Sequence, residues 1–154
     1  MWPDHCIQGS HGAKFHKDLE IDGTEVCISK GIKQDVDSHS GFGSYHENTG
    51  LYDLLIKNSI EKVYIVGLAF DLGAGYTAED AAFEGFETYV IKDVTKSVDI
   101  DDERFMIQRM KKAGVNIINF ADLSKYHWDD SLILRNYKGI SRFDLISFDQ
   151  VWFY

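Results

Sequence analysis

Residues 63–78, VYIVGLAFDLGAGYTA, run from an unbroken apolar stretch through closely spaced glycines into a segment of small and polar residues. An apolar run of this length that breaks at Gly67 reads as a strand over 63–69, buried on both faces. The stretch from Ala74 to Glu84 reads as a helix whose Ala78, Ala81 and Ala82 allow close packing on a sheet. A strand-to-helix turn aims backbone N–H groups and the first helical side chain at one spot, where an oxyanion and an attacking group can meet. At the mouth of this turn stands Gly73, and no Cys, Ser or Thr lies between Ala69 and Tyr76. The turn provides backbone donors without an attacking atom.

Around this unit the periodicity predicts strands over 25–29, 88–92 and 115–120 and helices over 51–60 and 101–113. Thr49 is placed to cap the 51–60 helix, where Leu51, Leu54, Leu55 and Asn58 share one face. Residues 1–20 and 32–50 read as polar loops. The alternation of strand and helix implies right-handed βαβ units and a mainly parallel sheet covered by helices on both faces, an α/β three-layer sandwich. In such sheets the functional site lies beyond the carboxyl ends of the strands, where Lys30 and the 69–75 turn both fall.

Charge and composition remove several classes of function. The net charge of −9 is spread along the chain, which opposes a nucleic-acid partner held through phosphates. No run of about 18 apolar residues exists for membrane insertion, and the N-terminus lacks the basic start and apolar stretch of a signal peptide. Cys6 and Cys27 have neither metal-type spacing nor a disulfide framework, so both are expected as reduced thiols in a reducing, cytoplasmic compartment, with Cys27 buried in its strand.

The residues in order resemble a family. Trp2-Pro3-Asp4-His5-Cys6, continued by Gln8-Gly9 and by Gly12-Ala13-Lys14-Phe15-His16, is similar to the WPxHC…GxxGAxFH segment of nicotinamidases, the amidase branch of the isochorismatase-like cysteine hydrolases. Ser29-Lys30-Gly31, Asp37-Ser38-His39-Ser40-Gly41-Phe42, Val66-Gly67-Leu68-Ala69-Phe70-Asp71 and Thr77-Ala78-Glu79-Asp80-Ala81 follow in the family's order, and the resemblance extends to about Asp122. Nicotinamidases cleave nicotinamide to nicotinate and ammonia, a step of NAD metabolism, through a Cys nucleophile, an Asp base and a Lys, with a divalent metal (zinc, iron or manganese) orienting the pyridine nitrogen. The resemblance implies that Lys30 is the retained catalytic lysine and that the backbone at Ala69 and Gly73 is the oxyanion hole, associated with a cis peptide before the alanine. It also implies that Trp2, His39 and Phe70 line the substrate pocket and that His5 is one metal-ligand position.

The departures from the pattern point away from catalysis. Gly73 stands at the nucleophile position, His39 replaces a tyrosine, and the family's segment before WPxHC, with its catalytic Asp and further metal ligands, has no counterpart in this chain. One histidine does not hold a catalytic ion, so no cofactor is expected. Residues 1–124 therefore read as a nicotinamidase-like domain incomplete at its N-terminus, with a sheet edge left to be covered by a longer polypeptide, by another chain or by rearranged strands.

Residues 125–154 form an extension without family counterpart, rich in Trp, Tyr, Phe, Leu and Ile. An apolar tail of this kind packs on something, either its own domain or other protein chains, and the expected partner surfaces are this tail and the uncovered side of the sheet. Three functions are compatible: an inactive structural or interaction subunit of a larger assembly, the reading the departures favour; a non-catalytic binder of a pyridine-like ligand at Trp2; and an active nicotinamidase-type amidase.

Overall fold

A computed structural model describes residues 3–15, 17, 18, 26–126 and 145–148. Its centre is a four-stranded sheet in which β3 (Lys62–Leu68), β4 (Glu87–Lys96), β5 (Asn116–Ile118) and β6 (Leu145–Phe148) lie in the order β5-β4-β3-β6. Every neighbouring pair in it is parallel. A separate hairpin pairs β1 (Gly43–Ser44) with β2 (Glu47–Asn48), inside the segment the sequence reading leaves as loop. The described residues also form the helices α1 (Leu51–Lys57), α2 (Gly73–Phe83) and α3 (Ile100–Ala113).

The apolar run of β3 is interior over Val63, Tyr64 and Ile65, fully buried with partners on both sides, whereas Leu68 at its end is exposed, against the expectation that the whole run is buried. Its pairing with β4 shifts register between Ile65 and Gly67, and β4 runs past the expected 92 to Lys96. The helices start and stop for local reasons. The Asp99 carboxylate accepts the amides of Asp101 (2.7 Å) and Asp102 (3.2 Å) at the start of α3, and Gly114, at φ 90°, ends it in the left-handed conformation that glycine adopts without cost. At α1 the residue before the helix is Gly50, not Thr49; the Thr49 hydroxyl instead accepts the Leu51 amide at 3.3 Å and donates to the Gly41 carbonyl at 2.6 Å.

Two apolar layers flank the sheet. On one side Val63, Ile65 and Val90 meet Leu51 and Leu55 of α1, Ala74, Ala78 and Ala81 of α2, and Met106 and Met110 of α3. On the other side Tyr64, Tyr89, Ile91 and Ile118 pack with Leu123, which comes from a 3-10 segment at Phe120–Tyr126. Helices on both faces were the expectation; among the described residues α1, α2 and α3 share the first face, and the second carries this 3-10 turn. The α-plus-parallel-sheet class stands, and the layers are unequal.

One further expectation is corrected. Residues 26–30 form no strand, and Val26 and Cys27 are exposed, so Cys27 is not the buried strand residue its sequence suggests. A short β-prone segment becomes a strand only when a ladder accepts its backbone, and no described strand pairs with it. The sheet edge left to a longer polypeptide, another chain or rearranged strands is occupied beside β3 by residues 145–148 of this same chain, Tyr64 opposite Leu145 through Gly67 opposite Phe148. Buried backbone groups must find partners, and the tail provides them over these four residues. Residues 127–144 and 149–154 of the aromatic extension lie outside the described residues.

Candidate active site

The turn between β3 and α2 is built by backbone bonds that leave its shape little freedom. Gly67 has φ 101°, and the Leu68–Ala69 peptide is cis, the feature expected ahead of this alanine. The Phe70 amide donates to the Lys96 carbonyl at 2.9 Å, fastening the turn to the end of β4. The buried Asp71 carboxylate accepts the amides of Val98 (3.0 Å) and Asp99 (2.8 Å), so this residue works as a brace between the two loops at the carboxyl end of the sheet. The Ala69 carbonyl accepts from Leu72 and Ala74, both at 3.0 Å, which winds the chain into α2 with Gly73 as its first, buried residue. The first amides of a helix have no acceptor within it, so the Gly73 N–H begins α2 as a donor and not as a ladder member. No side chain extends from that point.

A second loop lies against the first turn of α2. Thr77 donates its hydroxyl to the Gly73 carbonyl at 2.6 Å and accepts the Gly41 amide at 2.7 Å. This fully buried threonine thereby links the 38–42 loop to the residue-73 end of the helix. His39, from that loop, stacks on Tyr76 at 5.3 Å between ring centres and faces Asp37 at 3.4 Å. Tyr76 in turn lies under the Arg109 guanidinium, 4.8 Å away, and Arg109 makes a two-pronged ion pair with Glu79 that ties α3 to α2.

Lys30 is 3% exposed, and its ammonium donates to the Ser38 carbonyl at 2.6 Å. Burial pushes its pKa down, the Glu47 and Asp37 charges push it partly back, and the result is about 8. A lysine in this range exchanges its proton near neutral pH and carries charge where water is scarce. Glu47, 6% exposed, accepts the amides of Gly31 (2.9 Å) and Ile32 (3.2 Å). Burial pushes its carboxyl up, but those two amides and the Lys30 charge help outweigh it and leave the group below the ordinary glutamate range. Sequence reasoning passed over Glu47, because an acidic residue in a polar loop carries no signal of the amides it will meet.

The structure therefore brings Lys30, the His39 loop, Ala69 and Gly73 into one connected region, through Ser38, Gly41 and Thr77. Phe70 is placed otherwise than on an open wall: it is wholly buried in the helix-side core, with the Lys92 ammonium 4.4 Å from its ring centre. Trp2 lies outside the described residues. His5 is half-buried, and its Nδ1 faces the Pro3 carbonyl at 2.6 Å. Among the described residues no three His, Cys, Asp or Glu side chains gather closely enough to hold an ion. A divalent metal does not fit the donors among the described residues. Cys6 is half-buried and its thiol is pushed up by burial, which opposes the thiolate a substitute nucleophile would need.

A model of the isochorismatase domain matches residues 1–122. The nicotinamidase of Acinetobacter baylyi is 37% identical over 126 residues, a match that covers 80% of this chain and 59% of that protein. Among solved structures, a nicotinamidase/pyrazinamidase of Acinetobacter baumanii superposes with TM-score 0.75 at 40% identity, covering 80% of this chain and 61% of the other. A pyrazinamidase of Pyrococcus horikoshii in complex with zinc does so with TM-score 0.70 at 36% identity, covering 78% and 64%. The chain thus spans about three fifths of the length of the curated relatives it matches.

Proposed function

Because this chain belongs to the isochorismatase family, on its nicotinamidase side, we propose that it is a nicotinamidase-type domain that does not hydrolyse amides by itself and is kept as a structural or interaction subunit. The observation that carries this reading is Gly73 as the first residue of α2. Covalent amide hydrolysis needs an atom that attacks the carboxamide carbon and then leaves as the acyl bond is hydrolysed. A glycine offers only hydrogen there. The turn that would hold the developing oxyanion is still built, with Asp71 and the Phe70 amide fixing its course. Donors of that kind lower a barrier only when a nucleophile reaches it. The extension over 125–154 supports the interaction role, since its apolar residues beyond β6 need a surface to pack on. Copurification of a partner with the full chain, and its loss on removal of residues 125–154, tests that role. Ammonia release from nicotinamide by the purified full chain tests the chemistry: no turnover is expected, and steady production would overturn the proposal.

A second reading, hydrolysis of nicotinamide, is favoured by Lys30. A buried lysine with pKa about 8, bonded to the 38–42 loop that Thr77 links to Gly73, is costly to maintain in a domain with no chemistry to perform. Under this reading Lys30 balances the charge of an attacking group that the described residues do not contain. The same ammonia assay separates the two.

A further inference from the structure

We propose that Glu47 is the positioning residue of the lysine side of this site: its carboxylate seats in the paired amides of Gly31 and Ile32 and fixes the turn from which Lys30 reaches the Ser38 carbonyl. Gly31 follows Lys30 directly and has φ 60°, a left-handed conformation that turns two successive N–H groups toward one side of the chain. Successive amides turned this way form a concavity suited to an anion. Glu47 fills it with one oxygen per amide, Oε2 to Gly31 and Oε1 to Ile32. The carboxylate arrives from β2, whose pairing with β1 fixes its height; Ser44 lies opposite Glu47 in that hairpin.

The hairpin is itself pinned. A Cβ on Gly43 would overlap the Glu47 carbonyl, so the two strands meet at closest approach there. Asp37 is the other acidic group acting on Lys30, but its side chain is 80% exposed and faces His39, so water weakens its effect. Glu47 is the buried countercharge, and it is also the one that holds the backbone beside the lysine. This assignment goes beyond the reading built on Gly73: it concerns how a buried ammonium is kept in place, whether or not the chain hydrolyses an amide.

The test is NMR on the full chain with lysine side-chain and backbone amide signals followed against pH, the Lys30 signal being assigned by its loss in Lys30→Arg. The unsubstituted chain should show Lys30 titrating near pH 8. Glu47→Gln should move that midpoint downward and shift the amide signals of Gly31 and Ile32. Asp37→Asn should move the midpoint less and leave both amides where they were. A merely structural glutamate would disturb the amides without moving the lysine. An unchanged Lys30 midpoint in Glu47→Gln, or equal effects of the two substitutions on lysine and amides, overturns the proposal. A measurement on the unsubstituted chain needs no variant to fold: on acidification the Gly31 and Ile32 amide signals should shift together, with a midpoint below the ordinary glutamate value of 4.5. Amides that stay flat through that range likewise overturn it.

Discussion

Substituting Gly75 by alanine tests how tightly α2 sits on the rest of the site. In the middle of an exposed helix this change stabilises by about 1 kcal/mol, because alanine is the better helix former. Here the added methyl would overlap the Phe70 carbonyl oxygen and lie 2.5 Å from Met106 Cγ and 2.8 Å from its Sδ. Met106 is 1% exposed, and the Phe70 carbonyl belongs to the braced turn, so neither gives way without moving α3 or the β3–α2 connection. Overpacking of this kind costs about 1–3 kcal/mol. Taking the upper value, because backbone is struck as well as side chain, and subtracting the helix-former gain leaves a net loss of about 2 kcal/mol. For a chain of this size that lowers Tm by about 4–8 °C. The assay is thermal unfolding followed by far-UV circular dichroism, with Gly12→Ala as the control, since a methyl there meets only Ser10 Oγ at 3.7 Å. A Gly75→Ala variant as stable as the unsubstituted chain, or more so, would refute the packing described at the helix start.

Lys30 gives a pH dependence of definite sign. Its folded pKa, about 8, lies below the 10.5 of a free lysine, so between those values the unfolded chain binds more protons and stability rises with pH. The Tm difference between the unsubstituted chain and Lys30→Met should therefore shift in favour of the unsubstituted chain from pH 8 to 10.5, and a constant difference would contradict the burial of a charged lysine. Asp71→Ala removes the brace that takes the Val98 and Asp99 amides; hydrogen bonds to a charged group contribute about 1.5–3 kcal/mol, so urea unfolding should show a loss of about 2 kcal/mol. A change within about 0.5 kcal/mol, the range of an ordinary surface substitution, would show that the brace does not hold the loops.

Much of the scaffold was legible because its signals are local. The 63–69 run is apolar but for Gly67, and α2 and α3 begin and end within a residue or two of the positions that periodicity predicts. Lys30 and the turn at Ala69 were placed by their neighbours in the motif order, and the structure connects them. What was not legible depends on partners distant in sequence. EVCIS has the composition of a strand, yet residues 26–29 lack a ladder among the described residues and stay irregular. LISF pairs with β3, some eighty residues earlier, and nothing in those four residues specifies that edge. Phe70 reads as a pocket residue from its place after Ala69, but the turn directs it into the core. Glu47 and Asp71 take their roles from backbone amides, which every sequence contains and none displays.

The central claim concerns one missing atom, and the most direct measurement is ammonia released from nicotinamide by the purified full chain, with and without added zinc, iron or manganese. Where the nucleophile and its partners act as a unit, losing the nucleophile lowers turnover by about a millionfold, so ammonia should stay at the level of the uncatalysed control. Turnover of about 1 per second, within the ordinary range of enzymes, would contradict the account and show that a group other than residue 73 attacks the amide.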